Sequence, residues 1–560
     1  MEPPITGILA TKDYKTFTIV DSRGSILADG LHDVKKVRPC MPYDTVSYDP
    51  GSGQVKLIKS CYSPLRLTGT LELASKMRYG QSSRGVPLYL FRPDAVAYPP
   101  FVVGSTAKDT SKNVRALVAY ESWTDPIPRG IALKIYGHCG NYDAECAAAA
   151  DYALPPLKSV GDLKPLAMEE RLGCTIECVP EGAFICNIDP AGCRDIDDVF
   201  GYMPGRRPGE TVWWIIISAA ALYVEAGGPI DTIARLRTAS LYTPEGAVIT
   251  PMLPPEISTD AGSLHADGRR RPGVAWKFTL TESGAGATNG PPLLRDEGLH
   301  LVWVCNKFTY TYENVLQAMP AHAVDAYETL ARALRGNPAD PHSWVEAAMI
   351  SYNVRFARWL MEHGLKDAVL RAHRGPDVER YIAYGRLGGP SLARYAVESA
   401  RYVGIDATDT VHVGLDAPLY THASSPLRRY VDLHNQRLYL HYSGFALLHE
   451  KDDATLNLPY VNWRTKALKS YAQALHFMDC LSSTGSKILR GTVIEVSVEK
   501  RKARVYVESW GLLVWWRNIP VELASDRIIG CVFDLRYYVN VGAAGWKSRF
   551  VLEEAEPADK

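Results

Sequence analysis

The chain has 560 residues, 46% of them hydrophobic and 22% charged, so it is long enough to form several domains with sizeable cores. Lysine plus arginine and aspartate plus glutamate balance at 62 each, which excludes an overall polycation but not a local basic surface. The 11 scattered cysteines argue against a secreted disulfide scaffold.

The N-terminal part reads as β-rich. Lys15–Asp21 alternates in the pattern of a half-buried strand, and Leu88–Phe91 and Val114–Tyr120 are further short strands. Strands of this length between turn signals favour small barrels or sandwiches. The most apolar run, Val212–Val224, is too short to span a membrane, which takes ~20 residues, and we interpret it as a buried strand that leads into a turn. Without a signal peptide, the protein is expected in the cytoplasm or the nucleus, away from membranes.

Two long amphipathic helices are predicted farther along the chain. In Ser343–His363 one face is apolar, and Gly364 is a natural stop. We interpret both apolar stripes as core packing. The first stripe consists of Val345, Ala348, Met349, Tyr352 and Phe356, and the second of Leu468, Tyr471, Ala472, Leu475 and Met478. Gly491–Glu499 and Ala503–Trp516 then read as strands of a C-terminal barrel of a type that commonly binds single-stranded nucleic acid.

The most informative segment is acidic. An apolar run ends at Asp189, a turn with Pro190 and Gly192 follows, and Asp195, Asp197 and Asp198 come next. In an extended tail, Asp195 and Asp197 would point to one side and Asp198 to the other. Four carboxylates held together repel one another unless cations or protons neutralise them, and hard divalent ions take carboxylate oxygens and share them with phosphates. From the residues alone, a solvated acidic loop is the more common arrangement.

The second cluster is Tyr420–Arg437. Ser425 and Pro426 predict a helix start, which would place Arg428 and Arg429 in the first helical turns. Arginines at such a place can bind a phosphate together with backbone N–H groups. Taken alone, the segment is more typical of a helix with surface arginines.

Together these segments resemble the RNB catalytic domain of the RNase II/RNase R exoribonucleases. The family pattern Ile-Asp, five residues, Asp-x-Asp-Asp is present as Ile188-Asp189 and Asp195–Asp198. The other family blocks follow in family order. They are Ser240–Leu264, Leu370–Pro376 and His412–Arg437.

The resemblance implies a multidomain α+β fold. It has two N-terminal cold-shock-like OB barrels at residues 1–60 and 61–155, a mixed α/β RNB domain at 156–485, and a C-terminal OB-type barrel at 486–556. It also implies a monomer that hydrolyses single-stranded RNA from the 3′ end to nucleoside 5′-monophosphates. Two Mg²⁺ ions, or Mn²⁺ in their place, would supply the metal chemistry.

The resemblance also implies roles for single residues. Asp189, Asp195, Asp197 and Asp198 match the metal ligands, and Asp197, Asp198 and Arg428 the catalytic residues. RNA contacts would come from Tyr242, which matches the tyrosine that stacks on the 3′-terminal base, and from Arg428 and Arg429. His422 could contact RNA or pack in the fold, and the sequence does not decide between the two.

Two departures from the family pattern motivate an alternative function. Ile216–Ala220 stands where the family has His-Ile-Ala-Asp-Val, and Gln473 stands where it has a glutamate. Near Lys366–His373, the aromatic that clamps the stacked bases is not evident. The alternative is an RNA-binding protein of the same fold with weak or absent cleavage. A scaffold that uses its barrels for protein contacts is a second one.

Overall fold

The computed structural model describes residues 3–154, 176–282, 291–445, 455–483, 487–540 and 550–555. The chain divides into two compact units, neither of which is continuous in sequence. The first unit comprises Met1–Pro156, Gly375–Ser399 and Asn457–Lys560. The second comprises Leu157–Arg374 and Ala400–Leu456.

The first unit begins with a five-stranded antiparallel sheet. The predicted strand Lys15–Asp21 is present at Phe17–Val20, where Phe17 and Ile19 are buried and Thr18 between them is only partly buried. A short helix, Val34–Val37, follows the third strand. In chain order the five strands are Ile5–Thr11, Phe17–Val20, Ile26–Leu31, Thr45–Asp49 and Gln54–Lys59.

A closed five-stranded barrel follows. Two strands approach so closely at Gly69 that a Cβ there would lie 2.2 Å from the carbonyl oxygen of Arg92, which explains the glycine. The helix Tyr142–Ala153 comes next, and the side chain of Asn141 caps its N-terminus. The barrel strands are Arg66–Leu71, Leu88–Pro93, Phe101–Gly104, Val114–Ser122 and Arg129–His138.

The C-terminal sheet of this unit also has five strands. The predicted continuous strand Ala503–Trp516 is wrong, because a 3-10 turn at Glu508–Trp510 and Gly511 with a φ of +61° divide it into two strands. The strands are Ile488–Ser497, Lys502–Val507, Leu512–Arg517, Val532–Val539 and Phe550–Glu554.

Two helices complete the first unit, Val378–Ala393 and Leu458–Ser483. The predicted second stripe is partly correct, since Tyr471 and Met478 are buried but Ala472 is exposed. This helix packs against the helix that follows the barrel, and its buried face includes Ala467, Tyr471, Ala474, Phe477 and Met478.

The second unit is built on a seven-stranded mixed sheet. Its two outer pairs are parallel and the other pairs are antiparallel. The run Val212–Val224 is a buried strand followed by a 3-10 turn, as predicted. In sheet order the strands are Glu177–Cys178, Leu293–Val304, Arg271–Thr281, Glu210–Ser218, Asp198–Pro204, Phe184–Asp189 and Phe308–Thr311.

Helices and two small sheets surround this sheet. The predicted helix Ser343–His363 is confirmed as Pro341–Glu362, with Asp340 as its N-terminal cap. The other helices are Pro229–Arg237, Val315–Ala318, Ala321–Ala333 and Tyr430–Tyr442. The small sheets pair Leu241–Tyr242 with Val248–Thr250 and Val369–Ala372 with Arg401–Gly404. Within the described ranges, no helix combines the length and apolar character that crossing a membrane requires.

The predicted fold class is confirmed: in chain order there are a five-stranded sheet, a closed five-stranded barrel, a mixed sheet with helices, and a C-terminal five-stranded sheet. The domain boundaries themselves stay predictions. The helix Leu458–Ser483, which lies inside the predicted 156–485 domain, is grouped with the first unit.

Candidate active site in the mixed sheet unit

The acidic loop runs between two strands of the mixed sheet and is held by its own neighbours. Asp189 is the last residue of one strand, and Asp198 is the first of the next. Between them, the hydroxyl of Ser263 accepts from the N–H of Ile196 at 2.9 Å and donates to the carbonyl of Arg194 at 2.8 Å. The loop therefore has one well-defined path.

All four aspartates line one cleft of about 740 Å³. The alternation expected for an extended tail does not apply, because the residues before Asp198 form a loop and not a strand. Asp197 is only 3% exposed, whereas Asp189, Asp195 and Asp198 are partly exposed. The structure thus brings the four carboxylates together.

Asp197 connects the acidic loop to the second sequence cluster. Its Oδ1 accepts from the backbone N–H of Leu427 at 2.9 Å, and its Oδ2 accepts from Nε of Arg428 at 3.1 Å. Nη2 of Arg428 also donates to the hydroxyl of Ser425 at 3.1 Å. The side chain of Arg428 is 45% exposed, so the same guanidinium can still reach a molecule in the cleft.

The other carboxylates have different partners. The Tyr242 hydroxyl donates to Oδ2 of Asp195 at 2.6 Å, and the side-chain amide of Asn187 donates to Oδ2 of Asp189 at 2.9 Å. No hydrogen bond to the carboxylate of Asp198 is found among the described residues. Asp198 is therefore the member of the set whose charge is least compensated.

Burial and mutual repulsion disfavour the charged carboxylates. Burial raises the pKa of Asp189, and it raises the pKa of Asp197 to about 7. Burial, followed by the charges of Asp189 and Asp197, raises the pKa of Asp198 well above its ordinary value. Although burial alone would lower the pKa of the Arg428 guanidinium, the Asp197 carboxylate raises it. One arginine does not neutralise four carboxylates, so the four can be ionised together only if further positive charge binds in the cleft.

The donor set fits a hard divalent cation. In the described part of the chain, no group of three or more His, Cys, Asp or Glu side chains is already arranged around one point as a metal site. The fit rests on the chemistry of the donors: four carboxylates line one cleft, burial raises the pKa of Asp189, Asp197 and Asp198, and the carboxylate of Asp198 has no hydrogen-bond partner among the described residues. Such oxygens are the ligands that Mg²⁺ and Mn²⁺ prefer.

The predicted helical position of the two arginines is wrong. The helix begins at Tyr430, and Arg429 is its extended N-terminal cap, paired in a β-bridge with Ala239. The reason is local: Oδ1 of Asp432 accepts from the N–H of Ser425 at 2.8 Å and from Arg429 at 2.7 Å, which closes a turn before the helix. Arg428 therefore projects from a turn.

Thr238 precedes the segment that carries Tyr242 and has a φ of +62°, a value that is unfavourable for a β-branched residue. Its hydroxyl is buried without a hydrogen-bond partner in the described structure. We expect Thr238→Gly to stabilise the protein by about 1 kcal/mol, because relief of strain and of a buried hydroxyl outweighs the entropy of glycine. Urea unfolding measures the change in the free energy of unfolding. Thr238→Ala, which keeps the backbone strain, is the control and should gain less.

A second cleft of about 440 Å³ adjoins the first and shares Asp189, Asp198 and Arg428 with it. Sequence reasoning missed two of its polar residues, Tyr312 and Glu346. Tyr312 follows the strand that runs parallel to the one ending at Asp189. Since parallel strands end at the same sheet edge, that pairing would have pointed to Tyr312.

His422 lies elsewhere. Its Nδ1 is 2.8 Å from the hydroxyl of Tyr402, and its ring packs edge-on against the rings of Tyr402 and Tyr420. Neither cleft has His422 in its lining. Arg429, in contrast, lines the second cleft.

Where the chain departs from the family pattern, the structure shows other hydrogen bonds around Ser218. The N–H of Ser218 donates to the carbonyl of Asp197 at 2.8 Å, and the Gln436 side chain bonds to the carbonyl of Ser218 at 2.7 Å and to the N–H of Ala221 at 3.0 Å. Gln436 thus fixes the strand end next to the acidic loop. Gln473 belongs to the first unit, where it is exposed.

Comparisons with known proteins match the part of the chain that carries this site. The family model of the RNB domain matches residues 181–335 and 390–443, which include all four aspartates and Arg428. Ribonuclease R of Escherichia coli is 24% identical over 343 residues, which are 48% of this chain and 42% of that protein. The chain thus aligns with less than half the length of this curated relative.

Solved structures share the fold. Mycoplasma genitalium RNase R, solved with ribose methylated single-stranded RNA, has a TM-score of 0.67 at 15% identity, covering 98% of this chain and 100% of that one. Yeast Ssd1, a pseudonuclease, has a TM-score of 0.64 at 14% identity, covering 92% and 79%. The chain thus carries a match to the RNB domain, the acidic motif and the fold of the RNase R structures, and in these respects it is similar to the RNase II/RNase R family.

Proposed function

We propose that the protein is a metal-dependent 3′→5′ exoribonuclease that hydrolyses single-stranded RNA to nucleoside 5′-monophosphates. One observation carries the proposal: Asp189, Asp195, Asp197 and Asp198 line a single cleft together with the half-exposed guanidinium of Arg428. Metal-dependent hydrolysis of a phosphodiester uses clustered carboxylates to hold metal ions and a cation to bind the phosphate, and this cleft offers both.

The aspartates would hold two Mg²⁺ ions, or Mn²⁺, which supply an activated water and stabilise the leaving oxygen when bound. Asp197 also orients Arg428, since the two side chains are hydrogen bonded. From there Arg428 binds the phosphate to be cut and stabilises the charge that develops on it. Asp197, Asp198 and Arg428 are in this way the proposed catalytic residues.

The two clefts suggest how RNA lies in the site. The first cleft, with Tyr242, would take the 3′-terminal nucleotide, while the second would hold the preceding nucleotides along Arg429. Tyr312 and Glu346 are polar groups that could meet a ribose 2′-hydroxyl, which distinguishes RNA from DNA. The aromatic setting of His422 favours a packing role.

The roles of the barrels and the monomeric state are also part of the proposal. The barrels at residues 1–60, 61–155 and 486–556 would guide single-stranded RNA to the RNB domain of a monomeric enzyme. The complex of the Mycoplasma genitalium relative with single-stranded RNA supports RNA as the ligand.

A time course on a 5′-labelled single-stranded RNA tests the function. With Mg²⁺ we expect a ladder that shortens from the 3′ end to a small limit product, and with EDTA no shortening. A DNA of the same sequence is the control and should stay intact. Uniform internal cuts would contradict an exonuclease.

A protein that binds RNA without cleaving it is the second candidate. The likeness to the pseudonuclease Ssd1 and the replacement of the family His and Asp at Ile216 and Ala219 favour it. The same assay decides: tight binding of the RNA without shortening at any Mg²⁺ or Mn²⁺ concentration would establish this function in place of cleavage.

Tyr242 tests the placement of the 3′ end. We expect Tyr242→Ala to lengthen the limit product by one or more nucleotides, because the loss of a stacked base costs ~1–3 kcal/mol of binding. Tyr242→Phe is the matched control, since it keeps the ring and removes only the hydrogen bond to Asp195. High-resolution gels of the end products measure the difference. Identical limit products for Tyr242→Ala and the parent would contradict the stacking role.

A further inference from the structure

A buried asparagine stands beside the first of the four aspartates. Asn187 is fully buried and lies two residues before Asp189 on the strand Phe184–Asp189, so both side chains are on the same face of the sheet. Its Nδ2 donates to Oδ2 of Asp189 at 2.9 Å. A buried amide must find hydrogen-bond partners inside the protein, and the partner of this donor is a carboxylate of the candidate active site.

The orientation of this amide follows from a backbone oxygen that can only accept. The carbonyl of Leu264 accepts from Nδ2 of Asn306 at 2.8 Å, and the same nitrogen donates to Oδ1 of Asn187 at 2.8 Å. The hydroxyl of Thr309, which stands opposite Asn187 on the parallel strand, also donates to this Oδ1, at 3.0 Å. Because two donors fix its oxygen, Asn187 must point its nitrogen towards Asp189.

The same series of hydrogen bonds reaches the other end of the acidic loop. The N–H of Leu264 donates to the carbonyl of Ile196 at 3.0 Å, and Ile196 separates Asp195 from Asp197. Asn306 is only 3% exposed, and its side-chain nitrogen bonds both to the strand before the loop and to the segment that pairs with the far end of the loop. Buried hydrogen bonds thus hold the two ends in place against the repulsion between the carboxylates.

We propose that Asn187, oriented by Asn306, is a positioning residue that sets the affinity of the cleft for a divalent cation. The inference rests on the proposed function, in which Asp189 is a metal ligand. A carboxylate that is oriented beforehand loses less freedom when it binds a cation, and loss of such an orienting partner typically costs about 10–100-fold in metal affinity. Because the amide is neutral, it holds the carboxylate without competing with the cation, as an arginine in its place would.

Binding of Mn²⁺ to the protein without RNA, followed by electron paramagnetic resonance, tests the inference independently of cleavage. We expect Asn187→Leu, which is close to asparagine in size but has no donor, to weaken Mn²⁺ binding about 10–100-fold. The Mg²⁺ concentration for half-maximal RNA cleavage should rise by a similar factor, and saturating Mg²⁺ should restore most of the rate. RNA affinity in EDTA should stay within about twofold of the parent, because no RNA contact is removed.

Asn435→Leu is the matched control, because Asn435 is also fully buried and makes four hydrogen bonds, none of them to an aspartate of the cleft among the described residues. It should lower the unfolding temperature and leave Mn²⁺ affinity within about twofold of the parent. Asn306→Leu keeps the test open if Asn187→Leu does not fold. It should weaken Mn²⁺ binding by a smaller factor, since Thr309 still holds the oxygen of Asn187.

The outcomes separate this inference from the proposed function. Parental Mn²⁺ affinity in Asn187→Leu, or an equal loss of affinity in Asn435→Leu, would overturn the positioning role and leave the proposed nuclease intact. If the parent protein bound no Mn²⁺, the metal dependence and the positioning role would both be wrong. A parent that binds Mn²⁺ but does not shorten RNA would refute only the nuclease activity, and the Mn²⁺ affinities of the parent and Asn187→Leu would still decide the role of Asn187.

Discussion

Asp197→Asn should reduce RNA cleavage by a factor of about 10³ or more and leave RNA binding within a few-fold of the parent. The change removes a charge from the carboxylate set and weakens the acceptor that orients Arg428. Loss of a single stabilising group at a developing charge already costs about 10²–10³ in rate, and here two functions are lost together. The stacking and phosphate contacts that bind RNA are elsewhere, so affinity should persist.

Single-turnover kinetics measure the cleavage rate, and fluorescence anisotropy with the same labelled RNA measures the binding affinity. Asp260→Asn is the matched control, because it makes the same chemical change at an exposed aspartate that pairs with Arg269. It should cleave at the parental rate. Normal cleavage by Asp197→Asn would remove Asp197 from the site, and a parallel loss of binding would indicate misfolding instead of lost catalysis.

Arg437→Met should destabilise the protein by about 3 kcal/mol or more at neutral pH. Nη2 of Arg437 donates to Oδ1 of Asp231 at 2.9 Å, and both side chains are buried. Removal of one partner from a buried pair leaves an uncompensated charge, which typically costs 3–5 kcal/mol. Tyr430 and the N–H of Gly227 still donate to Asp231, which keeps the expected cost at the lower end.

Urea unfolding at several pH values measures the loss of stability in Arg437→Met and shows whether it grows or shrinks with pH. Burial alone would raise the pKa of Asp231, but Arg437 lowers it, so the pair stabilises the parent above the unfolded pKa and loses this effect as the pH falls through the folded one. Without Arg437 burial dominates, the carboxyl takes up a proton at higher pH, and the deficit should shrink towards pH 4. Arg332→Met, at an exposed pair with Glu328, should cost less than about 1 kcal/mol. An equal loss of stability in Arg437→Met and Arg332→Met would contradict the buried-pair explanation.

Features encoded in local sequence were predictable. The strand ending at Asp189 follows from an apolar run and a Pro/Gly turn, and the helix Pro341–Glu362 follows from an apolar period and the stop at Gly364. The grouping of the four aspartates was suggested by spacing, and the resemblance to a family made it specific. Confirmation of the fold came from the structure and its neighbours.

Features that depend on distant residues were not predictable. The turn before Tyr430 forms because Asp432 reaches back to Ser425, and this side-chain contact overrides the helix-start signal of Pro426. Tyr312 and Glu346 come together only through the pairing of parallel strands and the placement of a helix whose pattern indicates core packing. The left-handed backbone at Thr238 is invisible in the sequence, since threonine is not a residue that signals it.

The contact between Asp197 and the Leu427–Arg428 turn has a consequence for synthesis of the protein. The acidic strand and this turn are 230 residues apart in the chain, so translation completes the aspartates long before it reaches the arginine. A nascent chain that stops short of Leu427 has the carboxylates but lacks both the backbone donor and the cation that hold Asp197. Until the later segment has emerged from the RNA-rich ribosome and folded, the proposed nuclease centre is therefore incomplete.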